Sequence, residues 1–211
     1  MFIQETTPND LDDLERKLRL NQFRGGTAAV YMEPVGPESG TTPITVEYVK
    51  GVERLCRKYG ALLVFDEVVT GFRIGMAGAQ GYFGVSPDLT IFGKVIAGGY
   101  PGAGGIGGKR EYMKYLGAGL DSSGKKIHKA LVGGTMTANP LSCCAGYFTL
   151  EEIERTNACQ KAGQMGDRIC AGLKELVKKH GLPFVVWNTG SICHLETVGT
   201  MHYQINWKKP W

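Results

Sequence analysis

The chain has 211 residues, of which 43% are hydrophobic and 21% charged, and its formal net charge is +4. These values are typical of a globular protein with room for one large domain, or for one domain and part of another. The lysines and arginines are scattered along the chain, which disfavours a nucleic-acid-binding protein. No apolar run is long enough to predict a membrane-spanning helix.

An amphipathic helix is predicted at residues 10–23, where apolar side chains recur at helical spacing. Its apolar stripe contains Leu11, Leu14, Leu18 and Phe23. An apolar strand is predicted at 27–34, and Pro34 ends it because proline has no amide hydrogen to donate to a sheet.

A second helix is predicted at about 43–59, followed by a second apolar strand at 61–65. Thr42 and Pro43 fit the N-terminal cap and first turn of this helix, and Gly60 fits the position just past its end. Because both strands are continuously apolar, the strand–helix–strand unit predicts a parallel sheet that is covered on both faces.

Further sheet and then a long helical region are predicted after this unit. Residues 88–93 read as a short strand, and the segment 102–108 ("GAGGIGG") as a glycine-rich strand or turn. The pattern at 140–179 is helical, with Gly146 and Gly166 as possible breaks.

Two strands of a different kind are predicted near the C-terminus, at 183–188 and 191–197. The fold class predicted for the chain is therefore α/β, a mostly parallel sheet with flanking helices, followed by the start of a small α+β domain. We place the boundary so that the two parts are residues 1–155 and 156–211.

The cysteines and the N-terminal segment both favour a cytoplasmic protein. Six cysteines are present, and because none forms a C-x-x-C pair they are interpreted as reduced, mostly buried thiols. The N-terminal residues lack the basic and then apolar regions of a signal peptide. The four histidines show no metal-binding spacing, so no metal site is predicted.

Two carboxylates are predicted at one edge of the sheet. Asp66 follows the strand at 61–65, and Glu33 ends the preceding strand. Ligands of open parallel α/β sheets bind beyond the carboxyl ends of the strands, where a carboxylate could bind a metal, accept a proton or pair with a cationic ring. The alternative is that Asp66 only caps the turn that follows it.

Lys94 is a candidate nucleophile, because it follows the strand at 88–93 and lies between Gly93 and an apolar pair. If these surroundings remove its amine from water, the amine becomes neutral more readily and can attack a carbonyl. The alternative is an ordinary surface lysine at the end of a strand.

Three glycine-containing segments are candidate phosphate or nucleotide sites. The match to G-x-G-x-x-G at 102–107 is isolated and gives only weak support to a nicotinamide-dependent dehydrogenase. The segment 119–126 lacks the hydroxyl that a phosphate-binding loop requires, because Lys126 stands there. The segment 132–140 could bind an anion such as phosphate, or could be a plain loop that caps a helix.

Four segments, in this order, closely resemble the class III, fold-type-I pyridoxal-phosphate aminotransferases, and within them most the glutamate-1-semialdehyde aminomutase branch. The resemblance covers roughly residues 27–155, and two of its blocks, D-E-V-x-T-G-F-R and G-K-x-I-x-G-G-x-P, are highly specific together. The four segments are "MEPVGPESG", "YGALLVFDEVVTGFR", "GAQGYFGVSPDLTIFGKVIAGGYP" and "GGTMTANPLSCCAG".

The resemblance implies a role for five residues in binding pyridoxal 5′-phosphate. Lys94 would bind the cofactor covalently and later move the proton at the substrate α carbon. Asp66 would pair with the protonated ring nitrogen, and Val68 would pack against a ring face. Thr135 would reach the cofactor phosphate of a neighbouring subunit, which implies a homodimer with shared active sites, and Glu33 would lie in the active-site wall.

The implied function is amino-group transfer between small amino and oxo substrates, with an intramolecular 1,2-amino shift as a special case. Val69, an apolar residue such as the aminomutase-like branch tends to have, stands where many relatives have glutamine, and Ala97 stands where relatives often have glycine. The segment at 116–134 is longer than the aminomutase pattern, which leaves the substrate open. The family's upstream phosphate-binding loop and stacking aromatic are not found before Glu33. A fragment is therefore expected, and the alternative is a non-catalytic remnant or interaction module.

Overall fold

The main sheet of the computed structural model consists of strands that follow one another across the sheet in chain order. β1, β2 and β3 are parallel and β4 is antiparallel to β3, which confirms the predicted α/β fold with a mostly parallel sheet. The structure describes residues 3–36, 38, 41–117, 119–121, 123–126 and 128–197. The strands of the main sheet are β1 (Ala29–Met32), β2 (Leu62–Glu67), β3 (Leu89–Phe92) and β4 (Gly105–Gly108).

Helices precede, connect and follow these strands, and two further strands form an antiparallel hairpin. The helices are α1 (Leu11–Gln22), α2 (Val46–Tyr59), α3 (Gly78–Phe83), α4 (Arg110–Met113), α5 (Pro140–Arg155) and α6 (Ala158–His180). The hairpin strands are β5 (Val185–Thr189) and β6 (Ile192–Glu196), and short 3-10 turns lie at Lys94–Ala97 and Lys114–Leu116.

The predicted first helix is confirmed, but its apolar stripe ends earlier than expected. The Asp10 side chain caps α1 by accepting a hydrogen bond from the Asp13 amide at 2.9 Å, and Leu14 and Leu18 are buried. Phe23 is 88% exposed, so its assignment to the stripe was wrong. Phe23 is the C-terminal cap residue, where the chain already leaves the helix.

The predicted cap of the second helix was also wrong at its N-terminus. Thr45, not Thr42, caps α2: its backbone is extended and its hydroxyl accepts from the Tyr48 amide at 3.2 Å. Pro43 therefore lies ahead of the helix. The other end matches the prediction, because Gly60 takes the left-handed conformation with φ +67° that ends a helix.

The hydrophobic core lies on one face of the sheet. Leu63 and Phe65 of β2 are fully buried on that face, in one cluster with buried side chains of α1, α2 and α3. On the other face of β1, Ala29 and Tyr31 are exposed, so the prediction of a sheet covered on both faces is wrong at this strand. The core comprises Leu14, Leu18, Val35, Tyr48, Val49, Val52, Cys56, Ala61, Leu63, Phe65, Ala79, Phe83 and Val85.

Gly146 and Gly166 do not break the helical region as predicted; they lie inside α5 and α6. The break comes between these helices, where Asn157 has a φ of +52°. Both glycines permit close packing, because a Cβ at Gly146 would lie 2.0 Å from the Ile96 carbonyl oxygen and one at Gly166 would lie 2.3 Å from that of Gly190. Glycine is therefore required at these two positions by close tertiary packing and not by a need for chain flexibility.

The β5–β6 hairpin packs on α6, and both strands agree with the predicted pair. The domain boundary between residues 155 and 156 stays a prediction, and residues 198–211 of the predicted second part lie outside the described residues. Within the described ranges, no helix is both long and apolar enough to cross a bilayer.

Candidate active site

The candidate site lies at the carboxyl ends of β2 and β3. Asp66 pairs in register with Ile91, and the half-buried Asp66 carboxylate accepts a hydrogen bond from the Val68 amide at 2.9 Å through Oδ1. This local bond turns the chain as it leaves the sheet, as the capping alternative required. The carboxylate nevertheless keeps acceptor sites that the turn does not use.

The second oxygen of Asp66 has a partner from the neighbouring strand. The Tyr31 phenol of β1 donates a hydrogen bond to Asp66 Oδ2. Partial burial, together with this bond and the negative charges of Asp66 and Glu33, raises the pKa of Tyr31 to about 12. The phenol is therefore protonated, and able to donate, throughout the neutral pH range.

Glu67 leaves β2 on the opposite face and serves the turn. Its side chain is buried and accepts from the Ala79 amide at 2.6 Å and from the Thr70 hydroxyl at 3.0 Å, both through Oε2. Gly78, with φ +56°, must be small, because a Cβ there would lie 2.2 Å from Glu67 Oε2. Glu67 thus ties the end of β2 to the start of α3.

Val68 brings the end of β2 against the residue that precedes Lys94. A Cβ at Gly93 would lie 3.1 and 3.3 Å from the two Val68 methyl carbons. The backbone of Lys94 has a φ of +48°, which costs a non-glycine residue about 1 kcal/mol and is found preferentially at functional sites. The Lys94 side chain is exposed, so the removal from water that the sequence suggested is not present in this chain.

Helix α5 holds the turn that begins with Lys94. Its backbone approaches the Lys94–Ala97 turn closely at two glycines, since a Cβ at Gly146 would meet the Ile96 carbonyl and one at Gly98 would lie 2.5 Å from the Ala145 carbonyl carbon. The Lys94 side chain is thus exposed, whereas the backbone of its turn packs against the backbone of α5.

Glu33 lies just past β1, beside this edge of the sheet. Its carboxylate accepts a hydrogen bond from the Glu38 amide at 3.1 Å, and its charge contributes to the raised pKa of Tyr31. Glu33 thus lies close enough to the Tyr31 phenol for its charge to act on it.

Thr135 belongs to a separate segment, an exposed turn at 135–138. Asn139 fixes this turn: its amide donates to the carbonyls of Pro101 at 3.2 Å and Met136 at 3.0 Å, while its oxygen caps α5. Within the described residues, no hydrogen bond or ion pair joins Thr135 to Asp66, Val68 or Lys94.

The sequence interpretation missed Tyr31. Two signals could have indicated it: Tyr31 precedes Glu33 by two residues, so both point to one face of an extended chain, and a tyrosine in a strand beside an acid often finds a partner. The register of β1 against β2 could not be predicted from the sequence. In this register Tyr31 pairs with Val64 and therefore lies diagonal to Asp66.

These residues fit a planar cationic ring at the edge of the sheet. Asp66 offers a half-buried carboxylate with unused acceptor sites, Val68 offers an apolar side chain packed on Gly93, and Lys94 offers an exposed amine on strained backbone. An acid, an apolar surface and an amine can together hold an aromatic aldehyde that carries a basic ring nitrogen.

The model of the family "Aminotransferase class-III" matches residues 4–208. This chain belongs to the class III aminotransferase family. A glutamate-1-semialdehyde 2,1-aminomutase of Staphylococcus epidermidis is 41% identical to it over 184 residues, which are 87% of this chain and 40% of that protein. The chain therefore spans less than half the length of this curated relative.

Solved structures agree with the family. An omega-transaminase from Sphaerobacter thermophilus has a TM-score of 0.76 at 32% identity, over 90% of this chain and 41% of that one. A transaminase with PLP bound also has a TM-score of 0.76, at 28% identity, over 90% of this chain and 42% of that one. The predicted fold class, that of the large domain of fold-type-I transferases in part, is confirmed.

Proposed function

We propose that this member of the class III family serves pyridoxal-phosphate-dependent amino-group transfer between an amine or amino acid and a carbonyl compound. An intramolecular 1,2-amino shift is the leading special case, and the similarity to an aminomutase supports it. The observation that carries the proposal is the meeting of Asp66, Val68 and the Lys94 turn at the carboxyl ends of two adjacent parallel strands.

The proposed cofactor is pyridoxal 5′-phosphate, which supplies an electron-withdrawing ring when bound. Asp66 would accept a hydrogen bond from the ring nitrogen and stabilise positive charge there. Val68 would give one ring face an apolar contact. Lys94 would bind the cofactor through its amine and move the proton at the substrate α carbon. The exposed position of the amine leaves it accessible to both partners.

Glu33 and Thr135 have proposed roles at the edges of the site. Glu33 would form part of the active-site wall, which its position beside Tyr31 supports. Thr135 would bind the cofactor phosphate of a second subunit, and its exposure in a fixed turn supports this role. We accordingly propose a homodimer with shared sites, whose substrates are small amino and oxo compounds.

The exposed apolar side chains of α5 support a subunit interface close to this turn. Three large ones, each about 60% exposed, lie on the helix that follows Thr135 directly; they are Leu141, Tyr147 and Phe148. We also propose a cytoplasmic location, supported by six cysteines that are all free thiols.

The proposed function is tested by adding pyridoxal phosphate to the chain, reducing it with borohydride and mapping the labelled peptide. We expect the label on Lys94, its loss in Lys94→Ala, and no change in Lys50→Ala, an exposed lysine of α2. A label elsewhere would refute the assignment of Lys94. A chain that takes up no cofactor would favour the alternative of a non-catalytic remnant or interaction module.

A further inference from the structure

The hydrogen bond between Tyr31 and Asp66 joins two strands at the point where the cofactor is proposed to bind. Tyr31 lies on β1 and is paired in register with Val64, and Asp66 follows Val64 by two residues on the same face of β2. The phenol thus reaches diagonally across the strand pair to the Asp66 carboxylate.

Both oxygens of the Asp66 carboxylate are fixed by this arrangement. Oδ1 accepts from the Val68 amide, which belongs to the same chain turn, and Oδ2 accepts from Tyr31. A carboxylate has about four acceptor sites, so each oxygen keeps one for a further donor. Two fixed bonds set the plane of the carboxylate and hence the direction of the acceptor sites that remain.

The exposure of Tyr31 and Asp66 shows that their hydrogen bond is not a buried structural pair. Tyr31 is 57% exposed, and Asp66 is half-buried. A surface hydrogen bond of this kind adds little to folding, because water can replace either partner. Its effect is therefore expected at the carboxylate itself rather than in the stability of the sheet.

We infer that Tyr31 is a positioning residue, whose phenol holds the Asp66 carboxylate in the orientation that receives the ring nitrogen of the cofactor. The inference rests on the proposed function and deepens it. Groups held in place by a second set of hydrogen bonds bind with less loss of freedom than groups free to rotate. Removing the phenol leaves only the bond from the Val68 amide of these two, so the orientation of the carboxylate is less restricted.

The test is a double-mutant cycle on the dissociation constant of pyridoxal phosphate, measured with the full chain by fluorescence or calorimetry. Tyr31→Phe is expected to weaken binding about tenfold, the loss typical of one hydrogen bond to a charged group. Asp66→Asn weakens it as well. The double variant is expected to bind within about twofold of Asp66→Asn alone, because Tyr31 acts only through Asp66.

Tyr82→Phe is the matched control, because Tyr82 is a similarly exposed tyrosine on α3, and it should leave binding unchanged. Thermal unfolding of each variant checks that the fold is kept. Equal binding by wild type and Tyr31→Phe, or independent effects of the two substitutions, would overturn the inference and leave the proposed function standing. A wild-type chain that binds no pyridoxal phosphate would overturn both.

A readout without cofactor comes from tyrosine rings labelled with ¹³C and followed by NMR at alkaline pH. If the pair exists, Tyr31 ionises at lower pH in Asp66→Asn than in the wild type, because the carboxylate charge that opposes ionisation is gone. Identical ionisation in both proteins would show that Tyr31 does not contact Asp66, and would overturn the inference.

Discussion

Glu67 is adjacent to Asp66 in the sequence, yet it performs a different task because successive side chains of a strand point to opposite faces. Asp66 points to the face where Tyr31 lies, whereas Glu67 is buried against Thr70 and the first turn of α3. The acid pair is therefore one candidate ligand-binding group and one structural group.

We predict that Glu67→Gln lowers the free energy of unfolding by about 1–3 kcal/mol. The substitution removes the charge that strengthens the bonds from the Ala79 amide and the Thr70 hydroxyl, and it sets a donor against the Gln80 amide nitrogen, which lies 3.4 Å from Oε1. Urea unfolding measures the loss. The exposed Glu47 of α2 is the control, and an equal effect of Glu47→Gln would contradict the role assigned to Glu67.

Asp88 is a buried acid with cationic partners from two sides. Its carboxylate accepts from Arg57 at 2.7 Å, from Lys109 at 2.5 Å and from the Leu63 amide at 2.8 Å. Burial alone would raise the pKa of Asp88, but the bonds from Lys109, Leu63 and Arg57 outweigh it and hold the pKa below its ordinary value. The group joins α2, β2 and the segment after β4.

Because the pKa of Asp88 is lower in the folded state, its stabilising contribution is complete above the unfolded value of about 4 and is lost as the pH falls through the folded value. We predict that Asp88→Asn lowers stability at pH 7 by about 2 kcal/mol or more and makes it depend less on pH between 6 and 3. Chemical unfolding at several pH values gives both quantities. Asp12→Asn, at an exposed position of α1, should change neither.

At the scale of elements, the contact between α5 and the Lys94–Ala97 turn depends on a missing side chain. A Cβ at Gly146 would lie 2.0 Å from a backbone carbonyl, which cannot move as freely as the end of a side chain. Since Lys94 begins this turn, the packing of α5 controls where the lysine amine is presented.

We predict that Gly146→Ala destabilises the chain by about 1–3 kcal/mol through overpacking, although alanine is the better helix former. Gly172 of α6 is the matched control, because no atom lies within 4 Å of a Cβ built there. Gly172→Ala should raise stability by up to about 1 kcal/mol. Opposite signs in thermal unfolding support the prediction, and a gain in both variants would refute it.

The elements were largely predictable because their signals are local. The apolar period of α1, the glycine after α2 and the asparagine–proline start of α5 each act within a few residues. Gly146 was misinterpreted because its reason, the carbonyl of Ile96, comes from another part of the chain. The sequence pattern indicates only that Gly146 is a weak helix former. It does not indicate that the backbone at Ile96 packs against Gly146.

The same distinction explains how much of the site could be predicted. The strand ends at Asp66 and Lys94 follow from local patterns, and the roles implied by the family resemblance remain proposals. The exposure of Lys94 and the bond from Tyr31 depend on strand register and on what covers the sheet, which are tertiary properties. The structure corrects the expectation that Lys94 is removed from water, and it adds the hydrogen bond from Tyr31 to Asp66.

At the scale of the whole molecule, the exposed apolar residues of α5 predict self-association. Sedimentation over a range of concentrations should show a dimer, because burying side chains of this size favours contact between copies. Leu141→Ser combined with Phe148→Ser should weaken the dimer at least about tenfold. Leu20→Ser changes a leucine of α1 that is 51% exposed, and an equal weakening by it would argue against an interface on α5.

The strand order of the main sheet bears on how the chain reaches its folded state. Each strand from β2 to β4 pairs with the strand that immediately precedes it in the sequence. No strand of the main sheet therefore has to wait for the synthesis of a later segment before it can pair. The connections between successive strands are at most about 30 residues long, and the entropic cost of closing a connection rises only slowly with its length. The edge that carries Asp66 and Lys94 can thus assemble as the polypeptide leaves the ribosome, before α6 and the β5–β6 hairpin have been synthesised.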